Sequence, residues 1–290
     1  MARADLRLPA NVPGDLYVDS TCIDCATCRQ MQPEVFGQGD GHSFVARQPE
    51  TPGEEARALQ ALVACPTGSI GTRGRAEGTR RASRSFPEPV GNGVFFCGYT
   101  SEKSFGAWSW LIRRNAGNVL VDSPRAAAPL LARLEELGGV SAMFLTHRDD
   151  VADHAAIRAR FGAARVIHAR DASALGEPPE RTLEGTEPVA LADDLLAIPT
   201  PGHTRGHAVL LWKSVLFTGD HLAWSERRGH LVAFRDANWY SWPETIRSME
   251  KLLAFDFTRV LPGHGAPYRA DSPAAMRAEV EKCVAWMKTR

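Results

Sequence analysis

The sequence predicts an α/β sandwich behind a small cysteine-bearing domain, and three observations carry that prediction. From residue 93 onward, apolar segments of strand length come first in series and then alternate with helix-length segments. Near the start, Cys22, Cys25 and Cys28 stand three residues apart, and a Gly-, Arg- and Ser-rich stretch at 72–90 separates them from the rest of the chain. Four short motifs containing His, two of them with Asp as well, each come directly after an apolar strand.

At 290 residues the chain has length for one large domain or two smaller ones with an ample core. Its 34 basic residues balance 34 acidic ones, which argues against a nucleic-acid scaffold, whose affinity rests on phosphate neutralisation. The N-terminus has no apolar signal region, and no apolar run approaches the ~18 residues of a membrane span. The expectation is a cytoplasmic protein that acts on a small-molecule substrate, with neither nucleic acid nor membrane as partner. The six cysteines do not form the pattern of a disulfide framework, which fits a reducing compartment.

Taken in order, residues 17–19 read as a short strand before Cys22-Ile23-Asp24-Cys25-Ala26-Thr27-Cys28. Thiolates at that spacing converge on one small volume, as an iron–sulfur cube requires, and the Cys65-Pro66 pair suits a fourth ligand. A four-cysteine zinc site is the competing reading, but zinc sites usually pair two separated C-x2-C knuckles. The flanks CIDCATCRQMQPEVF and ALVACPTGSI resemble single-cluster bacterial ferredoxins over residues 15–71. That resemblance implies a small α+β domain at 1–71 and a [4Fe–4S] cluster on Cys22, Cys25, Cys28 and Cys65. It also implies electron transfer, and so a redox partner protein.

Residues 72–90 read as a solvated linker, with Arg73, Arg75, Arg80, Arg81 and Arg84 as a basic run that could otherwise face a partner. The second domain, 91–290, opens with strands at 93–99, 108–113 and 118–122. A helix at 126–137 and a strand at 140–145 come next, then a helix at 155–161 and strands at 165–168, 195–198, 208–212 and 214–217. A helix at 242–254, a strand at 259–261 and a helix at 273–287 complete it. Cys97 and Cys283 fall on apolar faces as buried thiols. Trp224, Trp239, Tyr240 and Trp242 could wall a pocket or simply fill the core.

Between the strand at 140–145 and the helix after it lies Thr146-His147-Arg148-Asp149-Asp150-Val151-Ala152-Asp153-His154. The C-terminal edge of an α/β sheet is where ligands collect, and His with carboxylate suits a borderline metal. A helix cap would explain one or two of the acids but neither His. PGHTRGH, FTGDH and LPGHG occupy the same kind of position later in the chain. Taken together, the four motifs resemble those of the metallo-β-lactamase superfamily over residues 91–290.

This resemblance implies a four-layer αβ/βα sandwich with two divalent metal ions (zinc, iron or manganese) at one edge. His147 and His203 would bind the first ion, Asp220 would bridge, and Asp153, His154 and His264 would bind the second. The usual His-x-His-x-Asp-His motif is altered here. Asp149 stands where the second His belongs, and Asp153-His154 arrive two residues late, as after an insertion that leaves Asp150 spare or as a helix cap. Arg148 and His207 are expected behind the ligands, with His207 available as partner to a ligating His; His221 could line the substrate pocket, but this is not the favoured reading.

Metal-assisted hydrolysis of a thioester, lactone or phosphoester is the leading expectation, with Asp153 as the catalytic orienter and weak base. Only residues 265–290 come after His264, which is short for the helical extension that holds glutathione in the hydroxyacylglutathione hydrolases of this fold. A diiron oxidoreductase fed by the ferredoxin-like domain is the alternative, because flavodiiron proteins also carry an acid at the position of Asp149. A redox or iron sensor is the third reading.

Overall fold

The computed structural model describes residues 2–74 and 76–290, so Arg75 of the basic run lies outside the described residues. The chain divides into two compact units: Met1–Asn118 with Pro124–Val140 and Ala152–Ile157, and Val119–Ser123 with Ser141–Val151 and Arg158–Arg290.

The first unit begins with a small cysteine-bearing part. Strand β1 (Tyr17–Val18) pairs antiparallel with β4 (Ile70–Gly71), and β2 (Phe36–Gln38) with β3 (Ser43–Val45). Helices α1 (Thr27–Met31) and α2 (Pro52–Ala64) lie between these strands in sequence. The start of α2 is specified locally: Thr51 Oγ1 accepts from the Glu54 N–H, the Glu54 carboxylate accepts from the Thr51 N–H, and Pro52 supplies a helical φ without needing a partner. Its apolar side then buries Ala58, Leu59 and Ala61.

The stretch expected as a linker is structured instead. Residues Ala76–Ser83 form helix α3, which packs on α2, and Glu88–Gly91 form strand β5. Strand β5 pairs antiparallel with β6 (Val94–Phe96), which pairs with β7 (Trp110–Ile112). The reason lies in Phe86, a lone aromatic in a polar run. It is fully buried and meets Phe96 and Tyr99 edge-on, with ring centroids at 5.6 and 6.0 Å. Helix α4 (Ala128–Glu136) completes the unit and buries Leu130 and Leu134.

In the second unit, β8 (Val119–Val121), β9 (Ala142–Phe144), β10 (Ala164–His168) and β11 (Arg181–Leu183) lie in the order β11-β10-β9-β8, all parallel. Helix α5 (His154–Phe161) comes after β9, its first residues counted with the first unit. A six-stranded sheet runs in the order β12 (Val189–Ala192), β13 (Leu195–Pro199), β14 (Ala208–Trp212), β15 (Val215–Gly219), β18 (Arg259–Pro262), β19 (Tyr268–Arg269). A hairpin of β16 (Ala223–Ser225) and β17 (His230–Val232) stands beside it.

Helices α6 (Trp242–Leu252) and α7 (Pro273–Met287) pack through Met249, Leu252, Met276, Val280 and Met287 onto Ile198, Val209, Leu216 and Val260. Each helix starts on a serine cap, Ser241 and Ser272, followed by a polar-to-apolar switch. Cys97 and Cys283 are buried as expected, and burial pushes both thiols up to about 12. No helix among the described residues is long and apolar enough to cross a membrane.

Replacing Phe86 by Ala should cost about 3–5 kcal/mol, the usual penalty for emptying a buried aromatic site. Anaerobic urea denaturation reads this, and a loss below about 1 kcal/mol would mean that 72–90 behaves as a linker after all.

Candidate metal centres

In the first unit, the loop from Cys22 to Cys28 passes through two left-handed residues, Asp24 (φ 59°) and Ala26 (φ 65°), before α1 begins. These turns bring the three thiols round to one side, where Cys65 at the end of α2 joins them. Ile23, Pro66, Val18 and Ile70 line the same small cavity. The Ser43 N–H donates to Cys22 Sγ (3.4 Å) and the Ser69 N–H to Cys65 Sγ (3.3 Å).

Burial pushes the Cys28 thiol up to about 12 and raises Cys25 as well, with the neighbouring thiols adding to both shifts. Cations among the sulfurs would offset what burial and the neighbouring thiols impose on Cys25 and Cys28, and a [4Fe–4S] cluster would supply these. Gly106 closes over this group: its φ is +84°, and a Cβ there would stand 2.8 Å from Cys25 Sγ. Thr27 Oγ1 donates to the Gly106 carbonyl at 3.1 Å.

The second unit gathers His and Asp side chains at the ends of its strands. Three ligand atoms from His147, His203 and Asp220 lie within 4.8 Å of one another, as do three from Asp150, Asp220 and His264. Asp220 is common to both groups. Its Oδ2 stands 3.7 Å from His147 Nε2, 3.7 Å from His203 Nε2 and 3.9 Å from His264 Nε2. Asp149 Oδ2 approaches the first group, 3.8 Å from His147 Nε2 and 3.5 Å from His203 Nε2.

Whether these residues fit metal ions is tested by their unsatisfied atoms. His147 Nε2, His203 Nε2, Asp149 Oδ2, Asp150 Oδ2 and Asp220 Oδ1 are buried and have no hydrogen-bond partner. Leaving five such atoms unpaired in one place would cost several kcal/mol in total. Charge gives the same answer. Burial, followed by the proximity of Asp220, Asp122 and Asp149, raises the Asp150 carboxyl well above its usual range. Burial likewise takes Asp122 to about 8. A crowd of buried acids facing imidazoles is the donor set that divalent cations relieve. Gly263 makes the crowd possible, because a Cβ there would meet Asp150 Oδ2 and Asp220 Oδ1 at 2.9 Å each.

Local bonds set the orientation of His147. Thr146 Oγ1 donates to the Asp122 carboxylate (2.9 and 3.0 Å) and lies 2.9 Å from His147 Nδ1. With its single proton committed to Asp122, the hydroxyl accepts from Nδ1–H and leaves the Nε2 lone pair facing Asp220. Burial lowers His147 to about 4, so the ring stays neutral, as a ligand must be.

Asp171 ties the two His-bearing loops together. Its carboxylate accepts from the Arg148 N–H (3.2 Å), Thr204 Oγ1 (2.5 Å) and the Gly206 N–H (3.0 Å). The Ala208 N–H, which donates to the Thr146 carbonyl at 2.8 Å, adds a direct link.

Of the residues expected as ligands, His147, Asp149, His203, Asp220 and His264 are brought together, and Asp153 and His154 are not. Both Asp153 oxygens are engaged within the first unit, Oδ1 with Lys103 Nζ (2.7 Å) and Oδ2 with the Ala126 N–H (3.0 Å). Burial opposes ionisation of Asp153, but Lys103 and that N–H prevail and hold it below the usual range. His154 is the buried first residue of α5 and belongs to neither converging group. The place expected for them is taken by Asp150, read from sequence as spare or a cap. With Asp150 there, no two-residue insertion has to be crossed: the acid comes one residue after Asp149.

His207 is not the partner of a ligating His. Its Nδ1 meets Thr200 Oγ1 (2.9 Å), and Thr146 serves His147. His221 is fully buried, and burial lowers it to about 3. Asp122, Thr146 and Asp171 were not anticipated from the motifs. The signal available for Asp122 was an acid closing the apolar strand NVLVD, and it adopts a left-handed φ of 58°.

An Asp150→Asn variant is expected to lose about one of the two metal equivalents beyond the cluster iron, whereas Asp153→Asn keeps both. Elemental analysis of anaerobically purified protein decides between them, and the reverse pattern would restore Asp153 to the site.

Comparison with known proteins shows the family. The model of the metallo-β-lactamase superfamily matches residues 104–264, and that of the 4Fe-4S single cluster domain of ferredoxin I matches residues 18–72. A hydroxyacylglutathione hydrolase of Stenotrophomonas maltophilia is 35% identical over 117 residues, 39% of this chain and 45% of that protein. One from Anaeromyxobacter dehalogenans is 34% identical over 125 residues, 41% of this chain and 47% of that protein. The chain thus spans about half the length of the curated relatives it matches. A metallo-β-lactamase from Hirschia baltica superposes with a TM-score of 0.54 at 19% identity, over 69% of this chain and 95% of that one, which shows the shared αβ/βα sandwich fold. With more than half its length matched and its His and Asp motifs gathered at one edge of that fold, this chain belongs to the metallo-β-lactamase superfamily and carries a [4Fe–4S] ferredoxin domain at its N-terminal end.

Proposed function

We propose that the protein is a metal-dependent thioester hydrolase. The observation that carries this reading is the set of buried, unpartnered ligand atoms around Asp220, and the names of its relatives supply the substrate class. His147, His203 and Asp149 would hold one ion, Asp150 and His264 the other, and Asp220 would serve both. When bound, two divalent ions would polarise the acyl carbonyl and lower the pKa of a water molecule.

The chain's own part is positioning. Asp149 is the half-exposed acid at the mouth of the site, and its carboxylate can accept a hydrogen bond from the attacking water. Asp150 takes over the orienting role expected of Asp153. In the net reaction, water adds OH to the acyl carbon, the C–S bond breaks, and sulfur leaves as a thiol carrying the other proton; the acid product then ionises.

An Asp220→Asn variant is expected to lose thioester turnover by about a thousandfold or more, since it removes a several-kcal/mol contribution shared by both ions. Turnover within tenfold of the parent would reject the site.

A second reading is favoured by one observation, the acid at 149 close to His147 and His203. With three carboxylates among six donors, the set suits iron or manganese as well as zinc, and a diiron oxidoreductase fed by the cluster would use it. Replacing Cys65 by Ser separates the two readings. The hydrolase reading expects the visible cluster absorbance to vanish while thioester turnover persists in a chain of unchanged far-UV circular dichroism. Two extra irons per chain, together with electron flow from the cluster to them, would favour the oxidoreductase.

A further inference from the structure

Beside the metal-binding residues, the second unit has an open cleft of about 630 Å³, within the range of small-molecule sites. Asp149 lies on its wall, so a ligand seated in the cleft reaches the reacting centre. The cleft's other carboxylate, Asp171, is occupied by Thr204, Gly206 and the Arg148 N–H. What remains available is of two kinds. Arg148, Arg170 and Arg205 line the cleft, are exposed, and make no ion pair among the described residues. Trp239 and Tyr240 also line it, 67% and 41% exposed, and with Phe105 they are the large hydrophobic side chains most exposed among the described residues.

Both aromatics contact the loop that carries His203. The Trp239 N–H donates to the His203 carbonyl at 2.9 Å, and the Trp239 ring centroid stands 6.3 Å from that of His203. The Arg205 guanidinium sits over the Tyr240 ring at 5.1 Å. Guanidinium forks match phosphate oxygens in pairs, and exposed flat rings offer stacking faces to heteroaromatic bases. A tripeptide thiol such as glutathione carries two carboxylates and an ammonium group and has no ring, so it would leave Trp239, Tyr240 and at least one guanidinium without a counterpart.

Resting on the thioester-hydrolase reading, we propose that the thiol half of the substrate carries phosphate groups and a purine-like base, the chemical class of coenzyme A. Arg148, Arg170 and Arg205 bind the phosphates, and Trp239 with Tyr240 stacks the base. Hydrolysis then releases the acyl group as a carboxylate and the nucleotide-bearing thiol with its proton on sulfur.

The test uses the full, metal-loaded chain. Adenosine 3′,5′-bisphosphate, the thiol-free end of coenzyme A, probes the cleft. Calorimetry is expected to show saturable binding of this probe and none of glutathione at the same concentrations. Arg170→Ala and Arg205→Ala should each weaken it by about tenfold. Trp239→Ala should abolish the tryptophan fluorescence change that accompanies binding. Binding unchanged in both arginine variants, or glutathione bound as tightly as the probe, overturns the proposal. So does tight, salt-sensitive binding of a single-stranded oligonucleotide that displaces the probe, since that would make the cleft a nucleic-acid groove. The two readings fail separately. Probe binding with no thioester turnover defeats the hydrolase reading alone, and turnover of acylglutathione without probe binding defeats the cleft assignment alone.

Discussion

Four carboxylates, those of Asp122, Asp149, Asp150 and Asp220, stand close enough to influence one another in the second unit, and three of them are buried or nearly so. Such a group is unstable as a set of bare anions, and protonation would leave it short of acceptors for its neighbours. Burial keeps His147 beside it neutral, so that ring cannot balance the charge. Divalent cations resolve both problems, and the local structure is arranged to receive them. Gly263 removes the side chain that would block two of the carboxylates, and Thr146 relays Asp122 to the far nitrogen of His147.

This charge arrangement depends on strand ends. His147, His203, Asp220 and His264 each come after an apolar strand with buried side chains, so packing fixes their backbone positions. The loops bearing them are then joined to one another. Asp171 links the first His loop to the second, and the Gly263 N–H donates to the Gly219 carbonyl to link the third to the fourth. A site built on rigid elements with cross-linked loops keeps its donors at short separations without the ions having to gather them.

The cysteine group in the first unit obeys the same logic with a different ligand. Burial raises the Cys25 and Cys28 thiols, and backbone N–H groups of Ser43 and Ser69 point at the other two sulfurs. Such bonds stabilise negative charge on a cluster and so tune its potential. Both centres thus show one pattern: a concentration of groups that repel one another until a metal is present.

Whatever depends on local spacing was legible in the order of residues alone. Three cysteines at three-residue intervals converge wherever a tight loop carries them, and His or Asp after an apolar strand falls at a sheet edge whatever surrounds it. The strands at 208–212 and 259–261 and the helix at 273–287 were readable for the same reason, since burial periodicity and serine caps are written in adjacent residues. The choice between Asp150 and Asp153 was made by tertiary contacts instead. The two acids lie three residues apart and have the same chemistry; what separates them is that Lys103 and the Ala126 N–H take up one, while Asp220 and His264 lie against the other. Phe86 belongs to the same class. A single aromatic in a polar run carries no periodic signal, and it becomes core only because Phe96 and Tyr99, ten and thirteen residues further on, meet it there. Long-range partners cannot be read from spacing, because sequence encodes which groups are available and the fold decides which of them meet.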